Sequence, residues 1–302
     1  MDGILNINKP LGETSFGIVA MVKRLTGQRR VGHAGTLDPM ATGVLPVCLG
    51  QGTRVIEFLA DATKSYRAEI ELGITTDTYD GEGQVVQRVD SSSVSRDQLI
   101  SALQSFVGII HQTPPMYSAV KHHGKPLYQL ARAGITVERK SRPAKIHQLE
   151  LVDWQPPVAT LEVVCGKGTY IRSLAHDLGQ TLGCGAYLKS LVRTRYGPFD
   201  LDSAISVPQL EEACAYGYWH CFVYPIDRVL LSLSAMIVGE DTKQYIRNGR
   251  PLLLESSEGH EPPPPEASSE NCRAYDLDGC FFSVLRFNPE KRQWQPKKVF
   301  LS

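Results

Sequence analysis

Apolar and polar residues alternate over residues 4–8, and the run stops at Pro10, which predicts a strand. Residues 15–25 carry helical spacing instead, with Ser15 placed as the N-cap and Gly27 just past the end. Residues 44–49 read as a buried strand, and residues 66–72 alternate like a half-buried one. Leu99, Ile100, Leu103 and Phe106 fall on one face of a helix over residues 95–106. Residues 161–165 read as a strand. Ile171, Leu174, Ala175, Leu178 and Leu182 then form a second helical stripe, closed by Gly183. Strands recur irregularly between helices, without a steady βαβ alternation. That predicts an α+β fold with a mixed, mainly antiparallel sheet flanked by helices.

The pattern breaks near residues 225–232. Beyond it, a short helix ends at Asn248 and Gly249, and short strands are predicted over residues 273–276, 281–287 and 298–301. The expected division is a first domain of residues 1–230 and a small β-rich second domain of residues 231–302. Residues 255–271 interrupt the latter with five glutamates, four consecutive prolines and no Lys or Arg. Consecutive prolines fit neither a helix nor a central strand, so this stretch reads as a solvated insertion without chemistry of its own.

Composition changes the picture in two ways. Thirty-two basic and 32 acidic residues cancel over 302 positions, which argues against a uniformly basic nucleic-acid coat. Resolved along the chain, however, the acid is concentrated in residues 251–280, with seven acids against Arg273, and the remainder is mildly basic. Residues 111–150 alone hold seven Lys or Arg against two Glu. The seven cysteines include no C-x-x-C pair, which fits reduced thiols in a cytoplasm better than a disulfide framework or a zinc site. No signal peptide and no membrane-length apolar run are read from the sequence. The phosphate-binding, dinucleotide, zinc-hydrolase and serine-hydrolase signatures are absent.

The chemistry concentrates in residues 29–54. Gly32, Gly35, Gly43, Gly50 and Gly52 make the segment flexible enough to place a side chain where an ordinary turn cannot. Asp38 ends the loop immediately before Pro39, which biases it toward an extended backbone. A lone carboxylate in such a loop is ordinarily a turn residue. A glycoside hydrolase would require two paired carboxylates, and no second acid accompanies Asp38 in its own segment.

The string Gly32-His-Ala-Gly-Thr-Leu-Asp-Pro-Met-Ala-Thr-Gly-Val-Leu-Pro-Val resembles the catalytic loop of the TruB family, the synthases that make pseudouridine 55 in tRNA. Six further blocks resemble family segments in the same order: Gly3-Ile-Leu-Asn-Ile-Asn-Lys-Pro, Lys64-Ser-Tyr-Arg, Leu72-Gly-Ile-Thr-Thr-Asp-Thr-Tyr-Asp, Pro115-Met-Tyr-Ser-Ala-Val-Lys, Lys167-Gly-Thr-Tyr-Ile-Arg-Ser-Leu and Leu182-Gly-Cys-Gly-Ala. The likeness runs from Gly3 to about Arg195 and fades after Phe199.

The resemblance implies the pseudouridine synthase fold followed by a small PUA-like module. It implies an isomerase that needs neither cofactor nor metal and acts as a cytoplasmic monomer on the T arm of tRNA. Asp38 matches the catalytic carboxylate, and Arg172 the arginine that pairs with it and would hold its pKa down. Tyr66 matches the tyrosine that stacks on the target base and is the leading candidate to handle its C5 proton. Tyr170 matches a second active-site tyrosine, His33 a residue that meets the displaced nucleotide, and Leu191 an apolar wall of the uracil pocket. Lys121, Lys125, Arg132 and Arg142 are the candidate RNA-phosphate contacts in the basic segment. A uracil stacked in an RNA loop must be flipped out to reach such a site.

Overall fold

The computed structural model of the chain describes residues 1–253 and 270–300. Residues 255–269 of the acidic insertion lie outside the described residues. The larger part of the chain forms one ten-stranded sheet. Its path runs Val223–Tyr224, Gly3–Lys9, Ala41–Leu49, Ala186–Tyr196, Lys64–Leu72, Val158–Cys165, Arg142–Gln155 and Gly108–Gln112, with Val31–His33 and Phe199–Asp200 paired off that path. One pairing is parallel, Ala186–Tyr196 on Ala41–Leu49, with Leu191 opposite Ala41 and Arg193 opposite Gly43. The other pairings are antiparallel. The sheet is therefore mixed and mainly antiparallel, as the irregular order of elements predicts.

The helices Ser15–Thr26 and Ile171–Thr181 pack on one face with Arg96–Gln104. Ile18, Val22, Leu99, Leu174 and Leu178 meet Leu5, Ile7, Val47, Ile70 and Leu161 in one core. The first helix differs from expectation at its start. Thr14 is the N-cap, accepting from the Gly17 amide, while Gly27 closes the helix with φ 69° as expected. Ser15 is free of capping because its hydroxyl is used elsewhere, as described below.

A second sheet orders Ser234–Ile237, Asn271–Tyr275, Phe281–Asn288, Gln293–Val299 and Leu252–Leu253, beside the helix Glu240–Arg247. This is the β-rich region expected beyond the pattern break. It does not stand apart. Val284 and Phe300 share a core with Ile4, Val44, Cys48, Tyr196 and Phe199 from the opposite face of the large sheet. Arg54 lies over the Phe300 ring, and Lys298 pairs with Glu57.

Candidate active site

The Asp38 loop is short of regular structure but not of bonds. Strand Ala41–Leu49 fixes its far end, and there Gly43 is required. Its φ is 99°, and a Cβ would stand 2.3 Å from the Arg193 carbonyl oxygen on the neighbouring strand. At the near end, Gly35 has φ 67° and lies against the Tyr196 ring. Between them the Ser15 hydroxyl accepts from the Leu37 amide at 2.8 Å and donates to the Leu37 carbonyl at 3.1 Å. The Gly12 amide donates to the Pro39 carbonyl at 2.9 Å. Lys9, wholly buried, donates through Nζ to the carbonyls of Pro10, Glu13 and Pro39 at 2.8, 2.6 and 3.3 Å. Burial pushes this ammonium down to about 8. Arg193, equally buried, donates Nε to the Val44 carbonyl at 2.7 Å and a terminal nitrogen to the Gly35 carbonyl at 3.1 Å. The residues on both sides of Asp38 are thus pinned.

Asp38 meets Arg172, the second residue of the helix Ile171–Thr181. Arg172 Nε lies 3.0 Å from Asp38 Oδ2. The same guanidinium reaches Asp80 Oδ2 with Nη1 at 3.2 Å and the Tyr117 carbonyl with Nη2 at 2.7 Å. Asp80 is held in turn by the Thr78 hydroxyl and by the Glu82 amide at 3.1 Å. Arg172 is 5% exposed and Asp80 4%, whereas Asp38 retains 36%. A planar, permanently charged fork thus orients one carboxylate toward solvent while another balances it from behind. The pairing does not hold the Asp38 pKa down as expected. Burial raises it, Arg172 pulls it back, and Asp80 adds to the rise; the net direction is upward.

Tyr66 lies in Lys64–Leu72, directly across from Arg193 in the adjacent strand. It is 7% exposed, and burial raises its phenol while the Arg193 charge opposes the rise. Leu191, opposite Ala68 and Ala41, is buried in the same core as Tyr66, Leu37 and Met40. Tyr170 is the N-cap of the helix that carries Arg172. Tyr170 lines a cleft with Pro114, Val120, Pro143 and Arg142. His33 ends the edge strand Val31–His33, and burial with the nearby Arg193 charge keeps it below the ordinary imidazole value, hence neutral at pH 7.

The basic residues occupy different ground. Lys121 and Lys125 stand exposed on a two-residue hairpin that turns at His123 and Gly124, both with positive φ. Arg132 is exposed at the end of the helix Leu127–Arg132, over the Tyr128 ring at 5.7 Å. Arg142 alone of the four lines the cleft beside Tyr170.

Sequence reasoning missed Asp80, Lys9 and Arg193. Two of them stand in segments already singled out: Asp80 closes the block that begins at Leu72, and Lys9 closes the block before Pro10, whereas the strand of Arg193 was not read at all. What it could not give is their convergence, because Asp80 and Arg172 are 92 positions apart.

Two family models match the chain. The one described as TruB family pseudouridylate synthase (N terminal domain) matches residues 23–171, and the one described as tRNA pseudouridylate synthase B C-terminal domain matches residues 172–237. A protein named tRNA pseudouridine synthase B from Dehalococcoides mccartyi is 47% identical over 302 residues, covering 100% of this chain and 97% of the relative. The chain belongs to the TruB family. Its enzyme class is accordingly that of the pseudouridine synthases, which are isomerases. A TruB relative of the same name from Geobacillus thermodenitrificans is 44% identical over 262 residues, covering 84% of this chain and 86% of its own. Among solved structures, one titled as a Cbf5–Nop10–Gar1 complex superposes with a TM-score of 0.75 at 26% identity, over 99% of this chain and 85% of the other. Among the described residues no helix is long and apolar enough to cross a membrane.

Proposed function

We propose that this chain converts uridine 55 in the T loop of tRNA to pseudouridine, with Asp38 as the catalytic carboxylate. The observation that carries the reading is the Arg172–Asp38 pair at 3.0 Å, with the arginine buried and the aspartate partly open. The target nucleotide leaves its stack, at a cost of about a few kcal/mol. The N1–C1′ bond breaks, the uracil turns, a C5–C1′ bond forms, C5 loses its proton and N1 gains one. The ionised Asp38 assists either by adding to the sugar or by deprotonating it to stabilise a sugar intermediate. Arg172 keeps that carboxylate oriented, and Tyr66 stacks on the base and handles the C5 proton. Tyr170 and Leu191 wall the pocket, and neutral His33 meets the displaced nucleotide. Lys121, Lys125, Arg132 and Arg142 contact phosphates, so RNA affinity depends little on Asp38. The enzyme works as a cytoplasmic monomer. Residues 1–230 form the catalytic domain, and residues 231–302 form the PUA-like module.

The test uses tRNA tritiated at uracil C5. Wild type is expected to release tritium and leave pseudouridine at position 55. Asp38→Asn is expected to release none while binding tRNA within about tenfold of wild type. Equal release by both proteins ends the assignment of Asp38; release with position 55 unmodified ends the assignment of the target.

A further inference from the structure

Gln112 is the last residue of the edge strand Gly108–Gln112, immediately before the basic segment, and it is 2% exposed. Both ends of its amide serve a single residue. Its Oε1 accepts from the Tyr170 amide at 3.0 Å, and its Nε2 donates to the Tyr170 carbonyl at 3.2 Å. A side chain thus makes the paired contacts that a neighbouring strand would otherwise make to a peptide unit. Tyr170 opens the helix Ile171–Thr181 without any side-chain cap of its own. That start is therefore fixed from outside the helix, and the first turn carries Arg172. Two residues of that first turn are tied to the segment after Gln112: the Ser173 hydroxyl donates to the Thr113 carbonyl at 3.0 Å, and Arg172 donates to the Tyr117 carbonyl. Replacing this amide by an apolar side chain leaves the Tyr170 amide without this acceptor, which costs more than the bond itself contributes.

We propose that Gln112 is a positioning residue for pseudouridine formation: by clasping the Tyr170 peptide it sets the start of the helix, and through it the Arg172 fork, against Asp38. The proposal rests on the roles assigned above to Asp38 and Arg172. Asp38 lies opposite the Arg172 Nε, so a helix start displaced by about 1 Å breaks the alignment of that pair, and misplacement on that scale costs about a hundredfold in a reaction that depends on orientation.

The experiment measures single-turnover rates at saturating tRNA, together with KM and thermal melting. Gln112→Ala and the isosteric Gln112→Met are expected to slow the step ten- to a hundredfold, with KM within threefold of wild type. Gln112→Glu keeps the acceptor for the Tyr170 amide and loses the donor, so it falls between these variants and wild type. In an Arg172→Lys background the same substitutions are expected to cost less than threefold further, because the group they act through is already impaired. Lowered melting with a rate within twofold of wild type overturns the proposal and leaves Gln112 as a structural residue. Equal fold losses in both backgrounds overturn it too. Should Gln112→Ala not fold, Gln112→Met and Gln112→Glu decide. A wild-type protein inactive on tRNA would count against the proposed function itself, which these variants do not address.

Discussion

The Asp38 loop and the basic segment after Gln112 are held in opposite ways. The first is pinned on both sides of its carboxylate by buried side-chain hydrogen bonds from Lys9, Ser15 and Arg193. The second is fastened at its root by Gln112, Thr113 and Tyr117, while Lys121, Lys125 and Arg132 project into solvent. The difference fits the role proposed for each. Bond making at a sugar carbon requires a carboxylate held within a fraction of an ångström, and rigid neighbours supply that without cost at the moment of reaction. Phosphate attraction acts over several ångströms and tolerates movement, so exposed side chains suffice.

The comparison breaks most sharply at Arg172. Arg172→Met leaves Asp38 and the buried Asp80 without their shared cation. Removing one partner of a buried ion pair costs about 3–5 kcal/mol. Turnover is expected to fall by about a hundred- to a thousandfold, with tRNA binding barely changed in a filter assay. A comparable loss of binding would mean the two regions are not separate in function.

Asp80→Asn is expected to have a smaller effect, about tenfold on turnover, because Arg172 keeps its other two partners. The pH profile sharpens this case. Asp38 must be ionised, and its pKa is raised partly by the Asp80 charge. Wild-type activity should therefore begin to fall, on acidification, above the ordinary carboxylate range. Removing the Asp80 charge lowers the Asp38 pKa, so the acid limb of Asp80→Asn should move to lower pH even as the plateau drops. A limb that stays in place or moves upward would show that Asp80 acts only by holding Arg172.

The mildest expectation concerns the exposed cations. Replacing Lys121, Lys125 and Arg132 together by Ala should weaken tRNA binding and leave the rate at saturating tRNA unchanged. The slope of log affinity against log salt should become shallower by about 2 for three lost phosphate contacts. An unchanged slope would remove these three residues from the interface.

The fold class was legible where an element shows its period in the sequence, as the alternation of residues 66–72 and the apolar stripe of residues 171–182 do. The central strand Ala186–Tyr196 was not. Its buried positions, Ala186, Leu188, Leu191, Arg193 and Tyr196, slip out of strict alternation at two bulges. One of its inward positions is also an arginine, and Lys189 and Arg195 stand beside the others, so the pattern looks like a charged surface. The strand Arg142–Gln155 hides similarly behind its exposed basic start. At the site, Asp38 and Arg172 were legible through resemblance, and the pair is made. Asp80 was not, because nothing local distinguishes a carboxylate that will be buried behind a guanidinium from one that closes a turn. The expected fall in the Asp38 pKa failed for a related reason: the sequence offered the cation but neither the desolvation nor the second acid.

The parallel pairing in the large sheet bears on when this enzyme can come into being. Ala186–Tyr196 lies between Ala41–Leu49 and Lys64–Leu72, and Arg193 supplies the bonds to Gly35 and Val44. A chain leaving the ribosome has synthesised Asp38 and Tyr66 long before the strand that belongs between them. Until residue 196 has emerged, Ala41–Leu49 and Lys64–Leu72 lack the strand that both pair with, and the Asp38 loop lacks one of its clamps. Large separations of this kind slow folding and leave unpaired edges exposed meanwhile. Nascent chains arrested before and after this strand, probed by limited proteolysis, should differ abruptly in protection of the loop. The aspartate proposed as catalytic is made early and waits on a clamp made much later.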